Sequence, residues 1–158
     1  MACTRPKRNR QSGFSMVEVL VALVVLSVGM LGIAGLYVTT LRASNGAIYR
    51  SLAVNLAADM ADRIRANPRA GTAYAGAPAL NGCVAGAVDC TRDQMAADDV
   101  FRWQAELAAA LPDDGDPATP QGTVTVAGAA PLRTYTIVVS WVEPSEPAGL
   151  TYTLRMQI

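Results

Sequence analysis

The sequence predicts an α+β fold in which a long N-terminal helix packs on a small C-terminal antiparallel β-sheet. Three observations indicate this class. An uncharged apolar run from Val19 to Leu41 is followed by an amphipathic pattern with helical spacing. The pair Asn67-Pro68 then ends that pattern, because proline cannot continue a helix. In the last third of the chain, apolar and polar residues alternate as they do in strands.

The first half of the predicted helix has the length and composition of a membrane span. About 20 apolar residues cross the ~30 Å hydrocarbon core of a bilayer, and the run from Val19 to Leu41 is that long. Residues 1–13, ahead of this run, contain four basic residues and no acidic residue: Arg5, Lys7, Arg8 and Arg10. This bias favours a cytoplasmic N-terminus, with the bulk of the chain on the other side of the membrane.

The second half of the predicted helix is amphipathic, with its apolar residues on one side. Apolar residues recur every four positions, with alanines beside them: Ile48, Leu52, Leu56, Met60 and Ile64. We predict a helix from Phe14 to Ala66. The chain then divides into a leader (residues 1–13), a transmembrane helix (14–41), its amphipathic continuation (42–66) and a globular domain (67–158).

The globular domain is predicted to contain one further helix and three strands. Thr91 and Gln94 have the spacing of a capping box, and the helix that follows is closed by Pro112. Its expected buried face consists of Val100, Trp103, Leu107 and Leu111. The segment 68–92 is predicted to be irregular, and 143–149 a loop. The predicted strands are 123–127, 134–142 and 150–158.

The cysteines indicate one disulfide. Cys3 lies in the leader, so Cys83 and Cys90 remain as an even pair. On the exported side of a membrane such a pair forms a disulfide, whereas in a cytosolic protein it would stay as two free thiols. The acidic segment Asp113–Asp116 does not have the spacing of a calcium loop, and we expect an exposed turn and no metal site.

The junction between leader and helix carries a specific motif, Gly13-Phe14-Ser15-Met16-Val17-Glu18. An ordinary secretory signal is cut after its apolar stretch, but here the small residue precedes that stretch. The arrangement resembles the class III signal of type IV pilins and of type II secretion pseudopilins. The resemblance implies a prepilin peptidase that cuts after Gly13 and methylates the new amino group of Phe14, so that the apolar helix stays in the mature protein.

Glu18 is the second half of this motif. A carboxylate within or at the edge of a membrane span costs about 2.5–3.5 kcal/mol on insertion scales, and no Lys or Arg occurs between residues 11 and 41. The amine freed at Phe14 is largely protonated at neutral pH. We hypothesise that Glu18 sets the register of one subunit against the amine of a neighbour. The alternative is a lone glutamate at the membrane interface.

Within this family, the chain looks like the PilV-type minor pilins. The likeness rests on LVALVVLSVGMLGIAGL, on LAADMADRIRANPRA and on Trp103 in a helix that ends at Leu111-Pro112. It implies a pilin-like fold, with the chain anchored in the inner membrane, its domain in the periplasm, and assembly into the extracellular pilus. It also implies a tip-complex role in starting assembly, adhesion and twitching. The implied partners are prepilin peptidase, major and other minor pilins, a tip adhesin and the inner-membrane assembly platform.

Other classes of function find little support. The chain has no histidine, no phosphate-binding glycine loop and no cysteines at metal-site spacing, so we expect neither an enzyme nor a cofactor. Without the leader, nine basic residues face 13 acidic ones, which disfavours direct nucleic-acid binding. Two alternatives stay open: a minor pseudopilin of type II secretion, and a bitopic membrane protein that binds a periplasmic partner without polymerising.

Overall fold

The computed structural model describes residues 13–85, 88–113, 120–143 and 146–158. Its elements are α1 (Met16–Ala66), α2 (Arg92–Ala110), β1 (Gln121–Ala129), β2 (Leu132–Glu143) and β3 (Glu146–Gln157). The predicted α+β class, a long N-terminal helix with a small antiparallel sheet, is confirmed. The chain divides into two compact units between Leu41 and Arg42.

Helix α1 begins two residues later than predicted. The carbonyl of Ser15 accepts the first bonds, from the backbone N–H groups of Glu18 (3.0 Å) and Val19 (3.3 Å). Phe14 therefore lies outside the first turn. The helix ends at Ala66, as Asn67-Pro68 predicts, and it continues without interruption through Gly29, Gly32 and Gly35 in its apolar half.

The core of the globular domain lies between the second half of α1, helix α2 and one face of the sheet. The buried residues of α1 are Ala53, Ala57, Met60, Ala61 and Ile64. The prediction that Ile48 belongs to this stripe is wrong, because its side chain is 54% exposed. Tyr49 and Leu52, both half-buried, are the first apolar side chains of α1 that pack on the core, and Ile48 is not among the described residues packed there.

Helix α2 follows the sequence prediction closely. Thr91 caps it with a reciprocal box: the Gln94 N–H donates to Thr91 Oγ1 (3.2 Å), and the Thr91 N–H donates to Gln94 Oε1 (2.9 Å). The predicted buried face is confirmed, with Val100, Trp103, Leu107 and Leu111 all inside.

Two side chains of α2 tie it to α1. The indole Nε1–H of Trp103, which is fully buried, donates to the Leu56 carbonyl (2.9 Å). The Arg63 guanidinium on α1 reaches Glu106, with Nη2 at 2.7 Å from Oε2. The two helices are thus joined by a buried hydrogen bond inside and an ion pair at the rim.

The sheet has the order β1-β2-β3, with both pairs antiparallel. Four alternate residues of β2 face the core and are buried: Tyr135, Ile137, Val139 and Trp141. On β1, Gly122 lies so close to Trp103 and Leu107 that a Cβ would overlap both side chains. A glycine is needed there because α2 packs directly on the strand backbone.

The prediction of a loop over 143–149 is wrong, because β3 already begins at Glu146, and Glu143 pairs with Glu146. Two features explain the longer strand. The register shifts between Trp141 and Glu143, and Gly149 adopts φ +77°, so the ladder continues past an irregularity. Pro147 is tolerated because β3 is an edge strand. Strands β1 and β2 also extend beyond their predicted ranges.

The segment 68–92 is more regular than predicted. It contains two 3₁₀-helices, Pro68–Ala75 and Cys83–Ala85. Proline at the start of the first supplies a helical φ, and the buried Tyr74 fixes its end, with its hydroxyl 3.0 Å from both the Arg63 carbonyl and an Asp99 oxygen. Of the predicted acidic turn, Asp113 is described and 114–116 lie outside the described residues.

Candidate functional site

The sequence motif at the start of α1 lies on an exposed helix end. Gly13, Phe14 and Ser15 precede the helix, and Glu18 stands in its first turn. The Phe14 side chain is 82% exposed. An acidic residue is favourable in a first turn, because the unpaired N–H groups there carry partial positive charge. The predicted processing residues and the predicted registry residue are therefore within about one helical turn of each other in the chain.

The helix that follows is apolar on every side. Every residue from 13 to 41 is exposed. The most apolar window of α1 has a mean hydropathy of 2.7, none of it is buried, and the helix is long and apolar enough to cross a membrane. A soluble helix hides its apolar face on its own domain, whereas one that is apolar all round needs lipid or other helices to cover it.

Glu18 lies at one end of this surface. It shares a helix face with Val21, Ala22 and Val25, at the three- and four-residue spacings that bring side chains together. Within the described part of the chain, no Lys or Arg forms an ion pair with Glu18. The carboxylate therefore stands at the edge of an apolar surface, where a cationic partner would have to come from outside the helix.

The globular domain holds a second polar centre, the loop clamp, formed by Asp98, Arg102, Asn81 and Gly82. Asp98 is fully buried on α2. It accepts hydrogen bonds from the backbone N–H groups of Asn81 (2.7 Å) and Gly82 (2.9 Å) and from Arg102 Nε (2.6 Å). Burial opposes its ionisation, but these donors outweigh burial and hold the pKa of Asp98 below its usual value.

The loop clamp positions the disulfide segment. Asn81 and Gly82 immediately precede Cys83, which is bonded to Cys90 with their Cα atoms 5.7 Å apart. Gly82 adopts φ +71°, a conformation that favours glycine and aims consecutive N–H groups at one carboxylate. The sequence prediction overlooked Asp98. Its one signal was Arg102 four residues later, the spacing of a helical ion pair.

We expect Asp98→Asn to lower the free energy of unfolding of the domain by about 1–3 kcal/mol near neutral pH, because the buried donors lose a charged acceptor. The effect should depend on pH. The folded pKa is depressed, so the stabilisation is present above the unfolded value of about 3.9 and is lost as pH falls through the folded pKa. Denaturant unfolding of wild type and variant at several pH values measures this difference.

The matched control is Asp93→Asn, since Asp93 is an exposed acid in the first turn of the same helix. It should change stability much less at every pH. If the difference in stability between wild type and Asp98→Asn did not shrink as pH falls well below the unfolded value of about 3.9, the depressed pKa of Asp98 would be wrong, whatever the size of the loss.

A third polar contact, also overlooked in the sequence, joins the sheet to α1. Glu143 is 2% exposed and accepts from the Trp141 indole N–H (3.1 Å), with Arg50 Nε 3.7 Å away. Its carboxylate lies against Gly46, where a Cβ would come within 2.8 Å of Oε2. Because Gly46 has no side chain, the Glu143 carboxylate at the end of β2 can pack directly against α1.

The fold and this site define a class of protein: a chain with an apolar, membrane-type N-terminal helix that joins a small α+β domain. Comparison with protein-family models narrows the class. The model of the prokaryotic N-terminal methylation motif matches residues 8–34, and that of type IV pilin Tt1218 matches residues 35–101. The chain is a type IV pilin-like protein. Comparisons with curated proteins and with solved structures find no match.

That the chain is a type IV pilin-like protein explains why its apolar helix is exposed. The methylation motif implies processing by prepilin peptidase and assembly with other pilins. With the long apolar helix, it fits a pilin that is anchored in the inner membrane. Pilins are structural subunits and not enzymes, so the polar centres of the domain are best understood as parts of its architecture.

Proposed function

We propose that this chain is a minor pilin of a type IV pilus, a subunit of the tip complex that starts assembly and supports adhesion and twitching motility. The observation that carries the proposal is the exposed apolar first half of α1 with one acid at its beginning, within a region that matches the methylation motif over residues 8–34. The minor role is supported by the PilV-like sequence of the second half of α1 and by Trp103 in α2.

The first step is processing. Prepilin peptidase cuts the bond between Gly13 and Phe14 and methylates the amine of Phe14. Both residues lie ahead of the first helical turn, and the Phe14 side chain is exposed, so the bond is free of secondary structure. The mature subunit stays in the inner membrane through residues 19–41, with its domain in the periplasm, until the assembly platform extracts it.

The second step is registry. At the start of the membrane span Glu18 lacks a cationic partner, and an unpaired carboxylate within the span costs about 2.5–3.5 kcal/mol. A neighbouring subunit offers the methylated amine of its own first residue. At ~4 Å and an effective dielectric of ~20, this pair contributes up to ~4 kcal/mol before desolvation is counted. A subunit displaced along the filament would leave its carboxylate unpaired, so the pair selects one axial position.

The test is Glu18→Ala. Cleavage should be unaffected, because the cut site is left intact, while the fraction of the subunit recovered in sheared pili should fall by about tenfold or more, which corresponds to a loss of at least ~1.4 kcal/mol. Quantitative immunoblots of membrane and pilus fractions give the ratio. Glu18→Gln, which keeps the size and removes the charge, should behave like Glu18→Ala, and Glu18→Asp should recover part of the incorporation.

Three results would contradict the proposal. Wild-type recovery of Glu18→Gln in pili would show that the charge does not set the register. Absence of the wild-type subunit from pili, together with co-purification with secretion components, would make the chain a minor pseudopilin. A wild-type chain that stays unprocessed in the membrane would instead indicate a bitopic protein that does not polymerise.

A further inference from the structure

The outward-facing backbone groups of the sheet can be assigned from its register. Arg133 and Ile158 exchange both backbone hydrogen bonds, N–H to carbonyl at 2.8 and 3.0 Å. In an antiparallel pair such exchanges recur at every second residue. The residues of β3 whose backbone N–H and carbonyl groups bond to β2 are therefore Leu150, Tyr152, Leu154 and Met156. The N–H and carbonyl groups of the intervening residues point away from β2: Thr151, Thr153, Arg155 and Gln157.

The opposite edge of the sheet is covered. The same alternation turns the backbone groups of Gly122, Val124, Val126 and Gly128 outward on β1. Gln104 on α2 donates its side-chain amide to the Gly122 carbonyl (3.0 Å). Residues of α2 and of the 3₁₀-helix Pro68–Ala75 also lie close to this strand. The outer edge of β1 is thus partly covered by other elements of the chain, and one of its outward backbone groups is hydrogen-bonded to α2.

Among the residues that the structure describes, none covers the outer edge of β3. Its close backbone neighbours among the described elements are in β2, and no described residue bonds the outward backbone groups of Thr151, Thr153 or Arg155. Natural edges are blunted by proline, lysine, bulges or inward charges. On β3 such features are confined to the first four residues. Pro147 and Gly149, which has a positive φ, lie among these residues, and the register shift lies opposite them on β2. From Leu150 onward, Arg155 is the sole charge.

The apolar side of β3 is also incompletely covered. Leu150, Tyr152, Leu154, Met156 and Ile158 pack on the core but remain only partly buried, whereas the inward residues of the central strand β2 are fully buried. One more strand beside β3 would extend the sheet over the exposed parts of these side chains. Its apolar residues would have to fall at every second position to meet them.

We propose that the edge of β3 receives an extended segment of another protein, which adds a fourth strand. The open backbone groups require an extended partner, the half-covered face requires apolar residues at alternate positions, and Arg155 favours a carboxylate beside it. The edge of β3 includes neither Glu18 nor Phe14, so variants of β3 and variants of the registry residues test strand addition and registry by different experiments. Strand addition would supply a lateral contact of the globular domain.

The probe is a fluorescent peptide of about ten residues that alternates valine and threonine and carries one aspartate, titrated onto the full-length protein in detergent. Thr153→Pro should weaken binding about tenfold, because it removes an outward N–H without breaking a ladder bond. Thr153→Ala keeps that N–H and should bind within about twofold of wild type. A control peptide with alternate amides N-methylated should not bind. Unchanged thermal unfolding of Thr153→Pro verifies its fold.

Two further measurements do not depend on that variant. Bound peptide should slow hydrogen exchange at the amides of Thr151, Thr153 and Arg155 and leave those of Tyr152 and Leu154 unchanged. Wild type should bind the aspartate peptide more tightly than a peptide in which lysine replaces the aspartate, and Arg155→Glu should reverse this preference. The proposal is overturned if the peptide fails to bind the wild-type chain, if the N-methylated peptide binds equally, or if the edge proves to be occupied by a second copy of this chain.

Discussion

Gly13→Ala is expected to leave the precursor uncut and to abolish its incorporation into pili. A residue without a side chain lets a peptidase approach the scissile carbonyl closely, and even one methyl group obstructs that approach. The variant should retain residues 1–13 and carry no methyl group on Phe14, whereas wild type should have lost the leader and gained one methyl. Intact mass spectrometry of protein extracted from membranes distinguishes the two forms.

The control for this experiment is Ser12→Ala, an equally small change one residue earlier, which should be processed normally. Normal piliation with an uncut Gly13→Ala subunit would refute the role assigned to the freed amine. A wild-type protein that begins at Met1 would refute cleavage itself. Because Glu18→Ala leaves cleavage intact, the two experiments separate failure of processing from failure of registry.

Trp103→Ala is expected to lower the free energy of unfolding of the globular domain by about 3–5 kcal/mol. Trp103 is fully buried between α1, Leu107 and the backbone of β1 at Gly122. Its removal leaves a cavity that the rigid strand backbone cannot fill, and it also removes the hydrogen bond to the Leu56 carbonyl. Denaturant unfolding of the detergent-solubilised chain, followed by circular dichroism, measures the loss.

Two further variants test how much of the stability loss of Trp103→Ala comes from the side-chain volume and the buried position of Trp103. Trp103→Phe keeps most of the volume and loses the indole N–H, so it should cost much less, about 1–2 kcal/mol. Phe101→Ala, an aromatic on the same helix that is 40% exposed, should cost less than 1.5 kcal/mol. Equal losses for Trp103→Ala and Phe101→Ala would contradict the assignment of Trp103 as the centre of the core.

The features that the sequence predicted correctly are those that depend on neighbours along the chain. The apolar run, the end of α1 before Pro68, the capping box at Thr91 and the alternation of β2 each follow from local sterics or from one repeating period. The processing motif is local as well, and it is the part of the site that the family comparison supports.

The features missed in the sequence depend on contacts between distant segments. Asp98 is a core residue only because Asn81 and Gly82 bring two N–H groups to it, and Glu143 is buried because Gly46 of α1 lies against it. The early start of β3 likewise depends on a partner, since a register shift opposite Pro147 and Gly149 lets a turn-like sequence enter the ladder.

The amino-acid sequence alone therefore determined the class of this protein: an N-terminal motif, an apolar helix and a small α+β domain, all encoded by residue order and period. Tertiary structure decided which polar groups are buried, how the disulfide segment is held and which edge of the sheet is open. The physical reason is that burial and hydrogen-bond pairing depend on where the folded backbone places segments far apart in the chain.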